Sequence, residues 1–267
     1  YADLAERVRA RLEGWPQEPQ GYHWPGYTYD HTLRVVRLAT WMAEQLGADV
    51  EIVRFAALLH DIRKDAGRDH AEVGAAEVRR ILGGYELSAE FVEAVAYAIE
   101  CHSGSNTPEH PVENLCLGDA DLIDANFGLV ASWRFITIRA HGGQELADTI
   151  LAMAEWLPRK DALAERLNTE LGREVAARRS ERMHEFCNGL RAALLEGEED
   201  DGVLWLARYV HEDAGRGRLG EQLAAINGGG AGEVPAGAQG VAEMLRVESS
   251  GRGLEEARGQ AEPCVGE

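Results

Sequence analysis

The side chains of this 267-residue chain that could do chemistry together are histidines and aspartates near the ends of apolar, helix-like segments. His60 and Asp61 follow Ala56-Ala57-Leu58-Leu59, a run apolar enough to be buried. A buried imidazole and a buried carboxylate need partners, and one cation satisfies both. Adjacent helical residues diverge by about 100°, so a cation meeting both has to sit off the helix end. His31 falls at the start of another apolar-periodic segment, and Asp119, Asp121 and Asp124 crowd the stretch Gly118-Asp119-Ala120-Asp121-Leu122-Ile123-Asp124. Histidines with aspartates make a mixed nitrogen and oxygen ligand set, which suits Mn, Mg, Co, Ni or Fe as well as Zn.

The elements that must position these residues read as helices throughout. Leu4, Val8 and Leu12 recur at helical spacing, and Leu33, Val36, Thr40 and Ala43 do so in a helix that starts near Asp30 and ends at Gly47. Asp49 and Ser88 are N-cap residues for two further helices, the first ending around His60-Asp61-Ile62 and the second near Cys101-His102. Helices are also expected over 69–82, 112–126 and 128–140, and a longer helical region over 144–195. No stretch alternates cleanly, so the fold class is all-α. The boundaries predicted are 1–27 for an N-terminal helix and approach segment, 28–140 for the central helical core, 141–210 for a C-terminal helical extension and 211–267 for a flexible tail. Thirteen of the 30 glycines fall in that tail, with a short amphipathic helix expected only at 240–247.

Bulk composition narrows the function classes. The formal net charge of −19 is a poor footprint for binding a nucleic-acid polymer. It leaves room for a small phosphorylated partner, because a metal and a few cations outweigh a distant negative field. The four cysteines, Cys101, Cys116, Cys187 and Cys264, have no C-x-x-C spacing and are expected as free thiols. The charged start of the chain and its short apolar runs predict a cytoplasmic protein with no membrane segment.

Five segments in order carry a resemblance. His31-Thr32-Leu33-Arg34-Val35, Ala57-Leu58-Leu59-His60-Asp61-Ile62-Arg63-Lys64, His70 with Gly74-Ala75, Ile99-Glu100-Cys101-His102-Ser103 and Asp119-Ala120-Asp121-Leu122-Ile123-Asp124-Ala125 follow one another along the chain. Their order H … HD … D resembles the HD-domain superfamily of metal-dependent phosphohydrolases. Arg63 stands where the family's motif usually has Gly, and Leu122 where Arg is common. Asn168-Thr169-Glu170-Leu171-Gly172-Arg173 is similar to the C-terminal part of small bacterial stand-alone HD proteins, some of which are similar to nucleotide pyrophosphohydrolases.

The resemblance implies an HD helical bundle holding one or two divalent ions on His31, His60, Asp61 and Asp121, with Asp121 preferred over Asp119 and Asp124. It implies attack of metal-acidified water on the phosphorus of a nucleotide or another small phosphorylated metabolite. Asp61, Lys64 and Arg34 are the catalytic set, Lys64 one turn past His60 and Arg34 one turn past His31, both within reach of a phosphate. His70 and His102 would hold a second ion or a phosphate. The longer pattern H … HD … H … H … D is also similar to that of the mixed-valence di-iron oxygenases, and a third reading is a non-catalytic HD module that binds or regulates.

Overall fold

The computed structural model describes residues 1–13, 27–197, 202–213, 218–228, 231–232 and 234–251, and among these there is no strand. Twelve α-helices follow one another: α1 Ala2–Glu13, α2 Tyr27–Leu46, α3 Val50–Leu59, α4 His70–Leu82, α5 Ala89–Cys101, α6 Val112–Asn126, α7 Leu129–His141, α8 Leu146–Asp161, α9 Glu170–Glu196, α10 Gly202–Glu212, α11 Leu219–Asn227 and α12 Ala236–Ser250. Short 3-10 segments cover Lys64–Asp69 and Ala162–Arg166.

The caps explain where several helices begin. Asp49 accepts from the backbone N–H of Glu51 and Ile52, Ser88 from Phe91 and Thr169 from Gly172, so each fills part of an otherwise bare first turn. One start differs from the sequence-based expectation. Helix α2 begins at Tyr27 rather than near Asp30, which moves His31 into its second turn. Tyr27 is buried and joins the helix because its ring packs parallel to His31. The rest of the expected approach segment, including His23 and Trp24, lies outside the described residues.

Two apolar cores divide the bundle. The first packs α1 to α6 with the leading part of α9, through residues such as Leu4, Met42, Leu59, Ile99 and Ile123. Burying side chains of this size stabilises by about 1.5–3 kcal/mol each. The second packs α7, α8, the rest of α9 and α10 to α12. The division therefore falls between α6 and α7.

The second core corrects the expectation of a flexible tail over 211–267. Leu219, Leu223 and Ile226 make a buried stripe on α11, and Ala238, Ala242 and Leu245 one on α12. The glycine count misled because several of those glycines serve the folded state. Gly202 meets Gly237 where α10 crosses α12, and a Cβ on Gly202 would collide with the Gly237–Ala238 backbone. Buried Glu248 of α12 accepts from the backbone N–H of Leu129 at 3.1 Å and of Val130 at 2.9 Å, capping α7. Residues 252–267 lie outside the described part. Among the described residues no helix is long and apolar enough to cross a membrane.

Candidate metal centre

Four helix ends meet over Asp61. The packing of α2 against α6 and α3, and of α4 against α5, brings His31, His60, Asp61, His70, His102 and Asp121 to one point of the first core. All but Asp121 are buried; Asp121 keeps 21% of its side chain exposed.

Each histidine is oriented by its Nδ1. His60 donates from Nδ1 to the carbonyl of Ala57 at 2.8 Å, His70 to Gly67 at 2.8 Å and His102 to Ile99 at 2.6 Å. A carbonyl only accepts, so the proton sits on Nδ1 and the Nε2 lone pair faces inward. The kink at Gly67, whose φ of 64° suits glycine, places its carbonyl for His70. His31 donates from Nδ1 to Asp124 Oδ2 at 2.7 Å, and its Nε2 lies 2.9 Å from Asp121 Oδ1.

The two oxygens of Asp61 have different surroundings. Oδ2 lies 3.6 Å from His60 Nε2 and 4.0 Å from His31 Nε2, and His60 Nε2 lies 3.8 Å from Asp121 Oδ1. Neither His60 Nε2 nor Asp61 Oδ2 has a hydrogen-bond partner, although both are buried. Two orphaned acceptors side by side would cost several kcal/mol together, and a cation is the group that satisfies both. His31, His60 and Asp121 also form a ligand triad close enough to share an ion. The donor set therefore fits a divalent metal.

Oδ1 faces a cation already supplied by the chain. Lys64 donates to it at 2.9 Å and reaches His70 Nε2 at 3.3 Å. His70 Nε2 and His102 Nε2 lie 3.2 Å apart on this side, at 3.6 and 3.9 Å from Oδ1.

Charge follows this geometry. Burial alone would lower the pKa of His31, but hydrogen bonds to Asp121 and Asp124 outweigh it and push it up to about 9. Burial would raise the Asp61 carboxyl, but Lys64 and the surrounding histidines hold it well below the usual range. His102 goes the other way, pulled down to about 4 by burial and by His60. His70 is lowered by burial and by Lys64.

One expected site residue has a different place. Arg34 was expected to contact phosphate, but it is 5% exposed and its Nε is held by Asp124 at 2.9 and 3.1 Å. Its position is behind His31, fixing the carboxylate that fixes the imidazole. Asp124 is the residue this adds to the site, and its spacing three past Asp121, on one face of α6, was the available signal. Asp119 accepts from the backbone N–H of Asn168 and Thr169 and from the Thr169 hydroxyl, so it pins the start of α9 to α6. That junction walls a cleft of about 390 Å³ beside Asp121 and His102, lined also by Ser103, Asn106, Arg166 and Asn168. Cys101, Cys116 and Cys187 are free and buried, and Cys264 lies outside the described residues.

Comparison with known proteins agrees with this arrangement. Residues 28–126 match the HD domain family model. The Bacillus subtilis protein YpgQ is 28% identical over 193 residues, covering 70% of this chain and 91% of that protein. Its crystal structure in complex with ADP superposes with a TM-score of 0.54 at 25% identity, over 72% of this chain and 95% of that one. A predicted HD superfamily hydrolase from an uncultured Thermotogales bacterium gives a TM-score of 0.51 at 26% identity, over 72% and 91%. A Ribonuclease Y from Cutibacterium acnes is 42% identical over 72 residues, which is 25% of this chain and 12% of that protein. With residues 28–126 matched and the histidine and aspartate cluster lying within them, the chain belongs to the HD-domain superfamily and has the fold of its hydrolases.

Proposed function

We propose that this chain is a metal-dependent phosphohydrolase acting on a nucleotide or another small phosphorylated metabolite. The observation that carries the reading is the orphaned pair His60 Nε2 and Asp61 Oδ2, buried beside His31 and Asp121. His31, His60, Asp61 and Asp121 would hold the ion. A divalent ion there, Mn, Mg, Co, Ni or Fe, supplies Lewis acidity toward a phosphoryl oxygen and acidifies a water.

The chain's own residues do the rest. Asp124 and Arg34 keep the His31 ring aimed. Asp61 joins the ligand side to Lys64. The Lys64 ammonium is placed to donate to an anionic oxygen entering the centre, which offsets charge on the transferring group. His70 and His102 hold Lys64 and Asp61 in register. One ion is the version supported by Lys64, because its ammonium already fills the Oδ1 side. The same contact counts against the di-iron oxygenase reading. The cleft of about 390 Å³ is within the size range of small-molecule sites, and the ADP complex of the related YpgQ supports a nucleotide. The net charge of −19 favours a small substrate over a nucleic-acid polymer. With no membrane-crossing helix described, we place the protein in the cytoplasm.

The test is release of phosphate and pyrophosphate from a panel of nucleotides with Mn, Mg, Co and Ni, alongside elemental analysis of the purified protein. Release that depends on the ion is expected. No release from any substrate together with no bound metal would overturn the reading, and ion-dependent consumption of O₂ would replace it with the oxygenase.

A further inference from the structure

The chain has 46 acidic against 27 basic residues, yet Lys160, in the last turn of α8, is placed beside a cation rather than an acid. Its Nζ donates to Asn126 Oδ1 at 2.6 Å and lies 5.6 Å from the centre of the Trp156 ring. Among the described residues no carboxylate pairs with it. Burial and the nearby Arg134 guanidinium pull its ammonium down to about 8. Arg134, on α7, donates to the carbonyl of Ala125 at 3.2 Å and lies over the Tyr27 ring at 4.9 Å. That ring in turn stacks on His31.

Arg134 also opposes the charge of Lys64. Lys64, Arg134 and Lys160 thus form a row leading away from Asp61 past the last turns of α6, the helix that carries Asp121. Asn126, which holds Lys160, donates to the carbonyl of Leu122 at 2.9 Å, and Leu122 lines the cleft beside Asp121. A row of neighbouring cations with a single carboxylate at one end is unfavourable by itself. A ligand with several negative charges would relieve it, and charge-assisted hydrogen bonds to such a ligand are the strong kind.

We propose that Lys160, backed by Arg134, is a second anion-binding position that holds a phosphoryl group other than the one attacked. The inference rests on the phosphohydrolase reading of the neighbouring centre. It assigns preference for longer phosphate chains to α7 and α8, outside the segment that supplies the metal ligands.

Binding of inorganic pyrophosphate and of orthophosphate to metal-stripped protein, measured by calorimetry, tests it. Wild type should bind pyrophosphate more tightly. Lys160→Met should weaken pyrophosphate by about 10- to 100-fold and orthophosphate by much less, and Lys160→Arg should restore most of the loss. Asn126→Ala, which frees Lys160 from its holder, is the second variant should Lys160→Met melt early. Equal pyrophosphate affinity in wild type and Lys160→Met overturns the proposal, as does wild type that binds both anions alike. If wild type hydrolyses nucleotides but binding ignores Lys160, this inference falls and the hydrolase reading stands. If binding depends on Lys160 but nothing is hydrolysed with any ion, the reverse holds.

Discussion

The two sides of Asp61 share one carboxylate and similar histidines, yet they are built for different occupants. On the Oδ2 side, Asp121 and Asp124 add negative charge, His31 is drawn to a pKa of about 9, and two acceptors are left bare. On the Oδ1 side there is no second carboxylate, His102 is held neutral with a pKa of about 4, and the Lys64 ammonium is already in place. The difference teaches that ligand-type residues do not by themselves make a metal site. The balance of charge around them decides between an external cation and a lysine.

The largest expected effect comes from removing what the two sides share. Asp61→Asn should abolish stoichiometric metal in elemental analysis and lower turnover on the order of 10³-fold or more. Retention of a full complement of metal would break the comparison at its centre. Next is the support behind the metal side. Asp124→Asn should leave the fold intact and lower metal affinity by about 10- to 100-fold in equilibrium dialysis, whereas an unchanged affinity would mean His31 needs no orienting carboxylate.

Lys64→Ala sharpens the contrast directly. With the ammonium gone, His70, His102 and Asp61 Oδ1 become an open ligand set, so bound ions should rise from about one to about two per chain. A wild type that already binds two would show that Lys64 moves aside.

The smallest effects are in pH dependence. His102 has a folded pKa below its unfolded one, so the unfolded chain takes up the extra proton. Stability of the metal-free protein should therefore fall as pH drops from about 6.5 toward about 4, by on the order of 1–3 kcal/mol, and His102→Gln should flatten that slope in urea titrations. His31 has the opposite sign. Its contribution is full below about pH 6.5 and is lost as pH rises toward about 9. Metal binding has to displace the His31 proton, so metal affinity should climb with pH over that window.

Much of the helix pattern was legible because its signals are local. Asp49 and Ser88 cap where short polar side chains before apolar periodicity said they would, and α4, α6 and α7 begin and end within a residue of their expected places. Packing decided what propensity did not. Tyr27 entered α2 because its ring stacks on His31. The glycine-rich segment after 211 gained two helices because α10 and α12 cross at glycines and bury leucines that a composition count cannot weigh. Arg34 illustrates the limit of helical spacing. One turn from His31 puts it on the right face, but only the approach of α6 shows that Asp124 occupies its Nε. Lys160 had no sequence signal at all, since a single lysine near a helix end carries no pattern.

What the sequence by itself determined is the set of histidines and aspartates, their order, and the apolar helices that carry them, because residue type and periodicity are properties of the chain. Which oxygen of Asp61 faces a bare acceptor and which faces Lys64 was decided only by the tertiary structure. Charge balance depends on distance, and those distances join residues up to 90 positions apart in the chain, as His31 and Asp121 are.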